Sequence, residues 1–536
     1  MNDQLQALRV RDPERTQVRS GTIRGGLMLL LAVAALSWES PGALAQENAP
    51  EARLITLDAC IRTALLRNRA LQIQRLNPEI ARDTLSGSRG YYDPVFIGDA
   101  RRESSSDSGG FDPADYSRDA IYDAESETVR LGLAGVLPTG MSYAFSGSYA
   151  NSYGYRNFLD FDSYNLYAGV AIQQPLLKNF WIDQGRMTIR VNKKNLEITE
   201  LGVAYLTMDV INQVQQAYCE LLAARDHLAV QERLVAMRSN FQAGLERQVE
   251  VGMLTPPDTH LARSQHATAQ AEAATARNLV TLSENALRTL LGDAWTDSAD
   301  VPLAPRERLT AVTALFDLSA SWDHGLRQRP DLAQLRTDLE RADIDLKYRR
   351  NQLFPSLDLV AGYGRRGAST IESSNLGARI AASSSDAFGQ ISGGDNPSDM
   401  IGVIFTMPLM RQTEPANYRV GKHLKAQAEL LVKQKEELVM REISDALNSA
   451  RSGLERLRAA GRAVEFARTA LTAEERKLAG GKSTLFFVLQ LQRDLATAES
   501  TEIRAKADYN KAVSQLQFAD ATLLETHQIA IEFVEP

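Results

Sequence analysis

The chain has 536 residues, 44% hydrophobic, 24% charged and 7% aromatic, with a formal net charge of −7. This is the composition of a folded protein, and its acidic balance gives no sign of nucleic-acid binding. Outside the N-terminus no run of about 18 or more uncharged apolar residues could serve as a membrane-spanning helix, so a crossing of the bilayer would require a closed β-barrel.

The N-terminus reads as an export address. Arg9, Arg11, Arg15, Arg19 and Arg24 precede a short apolar core from Leu27 to Leu36, and Ala43-Leu44-Ala45 supplies small residues for cleavage. Residues 1–45 are therefore expected to be a signal peptide. Cleavage there removes five arginines and the four acids Asp3, Asp12, Glu14 and Glu39, leaving 55 basic and 63 acidic residues, net −8. Cys60 and Cys219 are the two cysteines. They exclude a framework of disulfides, and whether they pair is left open.

Residues 56–90 predict a helix of about 35 residues that stops before Pro94 and passes into a strand. Strands follow near 95–102, 127–137, 140–150 and 163–174. Val129, Leu131, Leu133 and Leu137 alternate with smaller or polar neighbours, as do Met141, Tyr143, Phe145 and Tyr149, and Tyr164, Leu166, Ala168, Val170 and Ile172. The period of two suits either a lipid-facing barrel or a half-buried soluble sheet. The segments 103–126 and 151–162, like 367–398 further on, are polar and read as long loops, whereas Pro138-Thr139-Gly140 is a tight link.

The stretch 179–250 contains no proline and carries Leu201, Tyr205, Met208, Ile211, Val214, Tyr218, Leu221 and Leu228 at helical spacing. A helix of that length extends on the order of 100 Å, too long for a compact domain of this size. A break at Val251-Gly252-Met253-Leu254-Thr255 leads to an Ala-rich helix over 257–291, then a connection over about 293–317. The Ala richness is equally that of close helix packing and of simple helix propensity.

The order then repeats. Residues 58–98 align with 319–359 at a constant shift of 261: Leu71 meets Leu332, Arg75 meets Arg336, Leu85 meets Leu346 and Pro94 meets Pro355. A helix over 320–352 and strands near 357–364 and 399–407 precede a second long helix, 416–479. In it Leu424, Leu431 and Leu438, then Leu457, Val464, Leu471 and Leu478, recur every seven residues, the spacing of a coiled-coil seam. Gly480-Gly481-Lys482-Ser483-Thr484 breaks this helix as 251–255 breaks the first, and a helix over 484–525 ends in a short tail, 527–536. Six strands are too few for one chain to close a useful pore, so oligomerisation is expected.

Together these features resemble the TolC family of outer-membrane factors over roughly 54–526, with repeat 1 at 54–292 and repeat 2 at 318–526. Gln174-Pro175-Leu176-Leu177-Lys178, the turn 251–255 and Val488-Leu489-Gln490-Leu491-Gln492-Arg493-Asp494-Leu495-Ala496-Thr497-Ala498 carry the likeness, each weak alone and strong in its order and duplication. The resemblance implies an α plus transmembrane β fold: a trimeric outer-membrane β-barrel continued by a long periplasmic α-helical barrel, built from two structural repeats per chain. It implies a passive exit duct of a tripartite efflux pump or type I secretion system, with a periplasmic adaptor and an inner-membrane ABC or proton-driven transporter as partners. The family usually gives four barrel strands per chain; the pair about Pro138-Thr139-Gly140 raises the expectation here to six, and eighteen in all instead of twelve.

The expected adaptor-docking tips are Val251, Gly252, Met253, Thr255, Gly480, Gly481, Lys482 and Thr484. Family positions for an acidic gate ring fall on Phe487 and Gln490, neither acidic. Phe487 is then open to two roles, a water-excluding constriction or packing between helices. Asp258 keeps the aspartate of the first half, in a first helical turn where it also favours the helix dipole. No catalytic, metal or cofactor site is expected: Gly481-Lys482-Ser483-Thr484 has Arg476 where a phosphate loop needs glycine, and the six histidines have no ligand spacing. A periplasmic adaptor and a trimeric surface stalk are the rival readings; the first should show lipoyl-like segments and the second no duplicated helix–strand–helix order.

Overall fold

A computed structural model describes residues 53–107, 111–112, 117–118, 122–156, 159–251, 256–292, 301–312, 317–373 and 379–530. The expected signal peptide 1–45 and the end of the tail lie outside these residues. In chain order the elements are β1 (Arg53–Ile55), α1 (Leu57–Arg67), α2 (Arg69–Arg89), β2 (Val95–Asp107), β3 (Tyr122–Val136), β4 (Ser142–Arg156), β5 (Leu159–Pro175), α3 (Gln184–Glu250), α4 (Pro256–Leu291), β6 (Leu303–Pro305), α5 (Leu318–Gln328), α6 (Pro330–Asn351), β7 (Ser356–Thr370), α7 (Ser384–Gly393), β8 (Pro397–Thr406), α8 (Thr413–Ala479), α9 (Leu485–Ala519) and α10 (Leu523–Thr526).

The duplication is visible in the lengths. Helices α3 and α8 have 67 residues each. Helices α1, α2 and α4 hold 11, 21 and 36 residues, and α5, α6 and α9 hold 11, 22 and 35. Each trio matches its long helix to within a residue. The single helices expected at 56–90 and 320–352 are, however, each broken by one residue, Asn68 and Arg329. Pro330 denies Arg329 the helical region, since its ring clashes with a helical residue before it. Asn68 takes the same extended ψ without a proline, because its side chain accepts a hydrogen bond from the Leu71 N–H and caps α2.

Residues Arg75–Gly202 and Pro330–Leu438 form one compact unit, and the remaining segments, Val203–Arg329 among them, form the other. The first holds an antiparallel six-stranded sheet in the order β8-β7-β5-β4-β3-β2. The β3–β4 pair flanking Pro138-Thr139-Gly140 lies inside this sheet, so the chain contributes six strands where the family plan has four. The strands outrun the expected boundaries: β2 reaches Asp107, β4 Arg156 and β7 Thr370, all within segments expected as loops. Ladder hydrogen bonds join backbones whatever the side chains, so the sheet continues past the point where apolar alternation stops. A helix, α7, occupies part of the expected 367–398 loop.

In the second unit β1 pairs in parallel with β6. Its largest core cluster joins Ile61 of α1, Ile211, Val214, Tyr218 and Leu221 of α3, Leu287 and Leu291 of α4, and Leu523 of α10. A second cluster packs Val439, Ile443 and Leu447 of α8 on Leu516 of α9 and Trp322 of α5. Cys60 is buried in the first cluster and Cys219 half-buried, and the two are not joined by a disulfide. The sevenfold seam of α8 is partly relocated. Val464 and Leu471 are buried as expected, but Leu424 and Leu431 are exposed, and the buried line runs one residue later through Val432 and Val439. The heptad spacing was right for both lines, and it does not specify which of two adjacent lines faces the same chain.

Candidate functional site

The sheet has two chemically distinct faces, and its register shows why. Paired residues point to the same side. One row crosses Phe96, Leu133, Phe145, Val170 and Tyr363 and ends on β8 at Asp399; the rows on either side of it bring in Leu131 and Ala168, with Arg365, and Tyr143, Ile172 and Ile401. Shifted by one residue, the opposite face runs Ile97, Gly132, Ser146, Gly169, Gly364 and Ser398, then Asp99, Arg130, Ser148, Tyr167 and Arg366. Every residue of the three alternating sets that lies within β3–β5 thus falls on the apolar face; Leu137 and Met141 lie just outside the strands. Tyr167 lies over Gly169 and Gly364, where any side chain would collide with its ring. The two outer strands, β2 and β8, have unpaired edges in the single chain, and they carry exposed Phe96 and Ile401. Beyond β8, Leu409 is 99% exposed, whereas its repeat partner Leu176 is partly covered.

Between the sheet and the long helices lies a tightly bonded junction. Asn179 and Trp181 both adopt left-handed backbone (φ 68° and 58°) between β5 and α3. The Asn179 N–H donates to Asn351 Oδ1 at 2.8 Å, and Gln352 Nε2 donates to Asn179 Oδ1 at 2.7 Å. Gly140, at φ 84°, approaches the Asn179 carbonyl so closely that a Cβ would sit 2.8 Å from it. Buried Asp183 caps α3 by accepting from the Arg186 N–H at 2.8 Å, and Tyr92 O–H donates to it at 3.1 Å. Burial and the Asp183 charge push the Tyr92 phenol up to about 12. Arg186 stacks on Trp181 at 4.9 Å from the ring centre. Sequence reasoning overlooked this cluster, although an aspartate just ahead of a proline-free stretch is a helix-start signal.

At the other end of the long helices are the expected tips. Val251 is exposed, its N–H bonded to the Arg247 carbonyl at 3.2 Å; Gly252, Met253 and Thr255 lie outside the described residues. Asp258 falls in the first turn of α4, which begins at Pro256, one residue ahead of the expected 257. The second tip is fully traced. Lys482 N–H bonds Lys477 O at 2.9 Å and Gly481 N–H bonds Leu478 O at 3.0 Å, with Gly481 at φ 67°. These two bonds and the left-handed glycine form a Schellman closure of α8. Its predecessor is a helix, not the strand a phosphate loop needs. Lys477 bonds Glu474 at 2.8 Å and Ser483 Oγ donates to the same carboxylate, which holds Glu474 below the usual carboxylate range. Thr484 is the extended N-cap of α9, without a side-chain capping bond.

Phe486 and Phe487 follow, edge to face with centroids 5.9 Å apart. Phe487 is 53% exposed and Gln490 is exposed, while Val488 and Leu489 fill the interior. Phe487 therefore does not pack between helices of its own chain. Deeper along the helices Arg238 is buried and donates to the Gln265 carbonyl at 2.7 Å, its charged form disfavoured by desolvation. An open groove of about 760 Å³ runs past His227, Gln231, Arg456, Arg493 and Ser500. His227 Nδ1 lies 3.1 Å from Ser500 Oγ, and burial lowers its pKa. Among the described residues no group of His, Cys, Asp and Glu converges as a metal set, and no helix is long and apolar enough to cross a membrane.

The comparisons with known proteins agree with this geometry. The family model described as "Outer membrane efflux protein" matches residues 121–293 and 323–522. The alkaline protease secretion protein AprF of Pseudomonas aeruginosa is 24% identical over 428 residues, which span 77% of this chain and 83% of AprF. The outer membrane protein TolC of Vibrio cholerae is 25% identical over 370 residues, 67% of this chain and 77% of TolC. The crystal structure of the Campylobacter jejuni CmeC outer membrane channel superimposes with a TM-score of 0.62 at 15% identity, covering 91% of this chain and 93% of CmeC, a likeness of fold. A duplicated helix–strand–helix chain with a one-face-apolar sheet and a family match across both repeats has one assignment: the chain belongs to the outer membrane efflux protein family.

Proposed function

We propose that three copies of the chain, each giving the six strands of its sheet, close one outer-membrane barrel of eighteen strands and continue into the periplasm as a helical tunnel. The observation that carries this reading is the six-stranded sheet itself: apolar on one face, small and polar on the other, and unpaired at both edges. A lone sheet with two bare edges in a bilayer would leave its ladder groups without partners, which lipid penalises. Pairing β2 of one copy with β8 of the next removes both edges and covers Leu409.

The duct is passive and its cargo is chosen by the inner-membrane transporter, an ABC or proton-driven pump, to which a periplasmic adaptor links it. The tips Val251–Thr255 and Gly480–Thr484 are the adaptor-docking surfaces, since Gly252, Gly480 and Gly481 carry no side chain to hold off an approaching helix tip. Phe487 of each copy lines a water-excluding constriction at the periplasmic mouth, with Gln490 one turn on and Asp258 of α4 as the further gate candidates. Its exposure in the single chain supports this role over packing within the chain. A periplasmic adaptor or a coiled-coil stalk would have no use for a sheet with these faces.

Detergent-extracted protein should run as a three-chain particle by light scattering and give discrete conductance steps in a planar bilayer. A monomer that leaves the bilayer insulating would refute the reading. Lys482→Glu or Gly252→Trp should weaken co-purification of the adaptor while leaving conductance intact.

A further inference from the structure

Helix α7 sits on the outside of the sheet. The ladder pairs Gly367 with Leu166, and Leu166 with Tyr149, so Gly367 belongs to the apolar face. A side chain at Gly367 would fall 1.8 Å from the Ala387 carbonyl oxygen: the backbone of α7 fills that space. Gln390 pins the helix to strand β7 by accepting from the Ala368 N–H at 3.0 Å and donating to the Ala368 carbonyl at 2.9 Å. The Ser383 N–H donates to Ser369 Oγ at 3.1 Å. At the other end, Arg365 points out on the apolar face, level with Ala168, and donates to the Ile391 carbonyl at 3.2 Å. A cation at a helix C-terminus is stabilised, and here the contact also withdraws it from the apolar wall.

The level at which α7 lies is informative. Reading across the apolar face, the row of Val129, Tyr149, Leu166 and Gly367 is the last largely apolar one; the next is Arg102, Glu127, Asn151, Tyr164 and Ser369. Tyr149 and Tyr164 sit there with rings 6.2 Å apart, the position of an aromatic girdle where lipid meets water. Strand β7 has no aromatic at this level, only Gly367 and Ser369. The helix seated on Gly367 supplies one. Ala387 is buried against the strand, while Phe388 beside it is 64% exposed and lies in line with exposed Ser384 and Ser392, four residues to either side.

We infer that α7 is an outer-surface anchor of the barrel and that Phe388 inserts among lipid acyl chains just below the headgroups, completing the girdle where β7 leaves it open. Its occupant is the bilayer because Phe388 continues a face that is apolar from Phe145 and Val170 up to Tyr149. The flanking serines suit the polar side of that boundary. The inference rests on the apolar face being the lipid face.

The test uses the full chain carrying Cys60→Ala and Cys219→Ala, with a nitroxide at Phe388→Cys, reconstituted in phosphatidylcholine vesicles. Accessibility to oxygen and to a nickel chelate is compared with labels at Phe145→Cys, in the middle of the apolar face, and Ser384→Cys. The oxygen-to-nickel ratio at 388 should be several-fold above that at 384 and approach that at 145. A nickel-dominated label at 388, or one shielded from both reagents by protein, overturns the inference while a lipid-exposed 145 leaves the barrel standing. A water-exposed 145 would instead bring down the barrel reading itself. Phe388→Trp, which keeps both cysteines, gives an independent measurement: the added emission should be quenched by brominated acyl chains, and quenching by aqueous iodide alone would refute the insertion.

Discussion

Asn68 and Arg329 stand 261 positions apart and interrupt equivalent helices with nearly the same backbone, φ/ψ −58°/123° and −66°/121°. They hold that kink by different chemistry. Asn68 Nδ2 donates to the Leu290 carbonyl at 3.0 Å, tying the start of α2 to the end of α4, and its Oδ1 caps the Leu71 N–H. Arg329, 3% exposed, reaches Glu442 Oε2 at 2.6 Å and the Ala519 carbonyl at 3.2 Å. The repeat has kept the bend and changed the means of making it.

Asn68→Ala should accordingly destabilise the fold by about 1–2 kcal/mol, the usual cost of losing a cap, with the half-buried Leu290 carbonyl losing its partner as well. Arg329→Met keeps Pro330 and therefore the bend, but strands Glu442. Because Glu442 is 37% exposed and can rehydrate, the loss should be about 2 kcal/mol, below that of a fully buried pair. Urea unfolding of the detergent-solubilised protein measures both. A larger loss for Arg329→Met than for removal of a buried pair would show that the bend itself depends on the ion pair.

At the second tip, Gly481 has open space where a Cβ would stand, yet its φ of 67° is one that L side chains rarely adopt. Gly481→Ala should therefore cost about 1 kcal/mol through the backbone alone, and Gly481→Asn less, because asparagine tolerates the left-handed region. Local amide exchange at 477–484 should rise in that order, Gly, Asn, Ala. Equal exchange in all three would mean the closure seen here is not what holds the tip.

Much of this architecture was legible because repetition and periodicity are read directly from residue order. The 261-residue shift, the two proline-free rods and the alternating sets in β3–β5 each have a local cause. What escaped were features set by partners distant in sequence. The cap at Asn68 is local, but nothing near it selects a break over a continuous helix, since the Leu290 contact exists only once α4 has folded back. Leu431 and Val432 are equally apolar, and the seven-residue period does not choose between them. Helix α7 was hidden in a polar segment because its seat, Gly367, lies on another element. Of the tips, the Gly480-Gly481 turn announces its own left-handed closure, whereas the role of Phe487 depends on copies of the chain that surround it.

Two half-buried histidines give a pH dependence with a definite sign. Desolvation lowers the pKa of His227 and of His527 below the ordinary 6.5, the latter against the opposing charge of Asp58. Gln215 Nε2 lies 2.6 Å from His527 Nε2, a contact that suits a neutral ring accepting the amide proton. A depressed folded-state pKa means that the unfolded chain takes up protons first. Stability is therefore full above about pH 6.5 and falls as the pH drops toward the folded-state values. His227→Gln and His527→Gln should each flatten the thermal-unfolding profile below roughly pH 6.5. A profile that keeps its slope in the double variant would assign it to carboxylates.

Phe487 separates gating from folding. Because its side chain is about half exposed, Phe487→Ala should change stability little, within about 0.5 kcal/mol. If the ring excludes water at the mouth, conductance in planar bilayers should rise, and Phe487→Asp should raise it further while favouring cations, as a ring of carboxylates does. Unchanged conductance in both variants would place the constriction elsewhere.

The neighbours Phe145 and Ser146 test which face meets lipid. Phe145 shares its row with Leu133 and Val170, Ser146 its row with Gly132 and Gly169. An arginine at 145 would enter the apolar band far from either rim, where a cation on the lipid face of a barrel costs about 2–4 kcal/mol. At 146 the same side chain would extend over glycines on the polar face, where water can solvate it. Phe145→Arg should thus lower the yield of folded, membrane-inserted protein, whereas Ser146→Arg should insert normally and reduce cation conductance by adding positive charge to the lumen. The two substitutions differ by one position and carry identical chemistry, so propensity and net charge cancel in the comparison. Equal insertion of both would mean that neither face is in contact with lipid, and the reverse ranking would turn the barrel inside out.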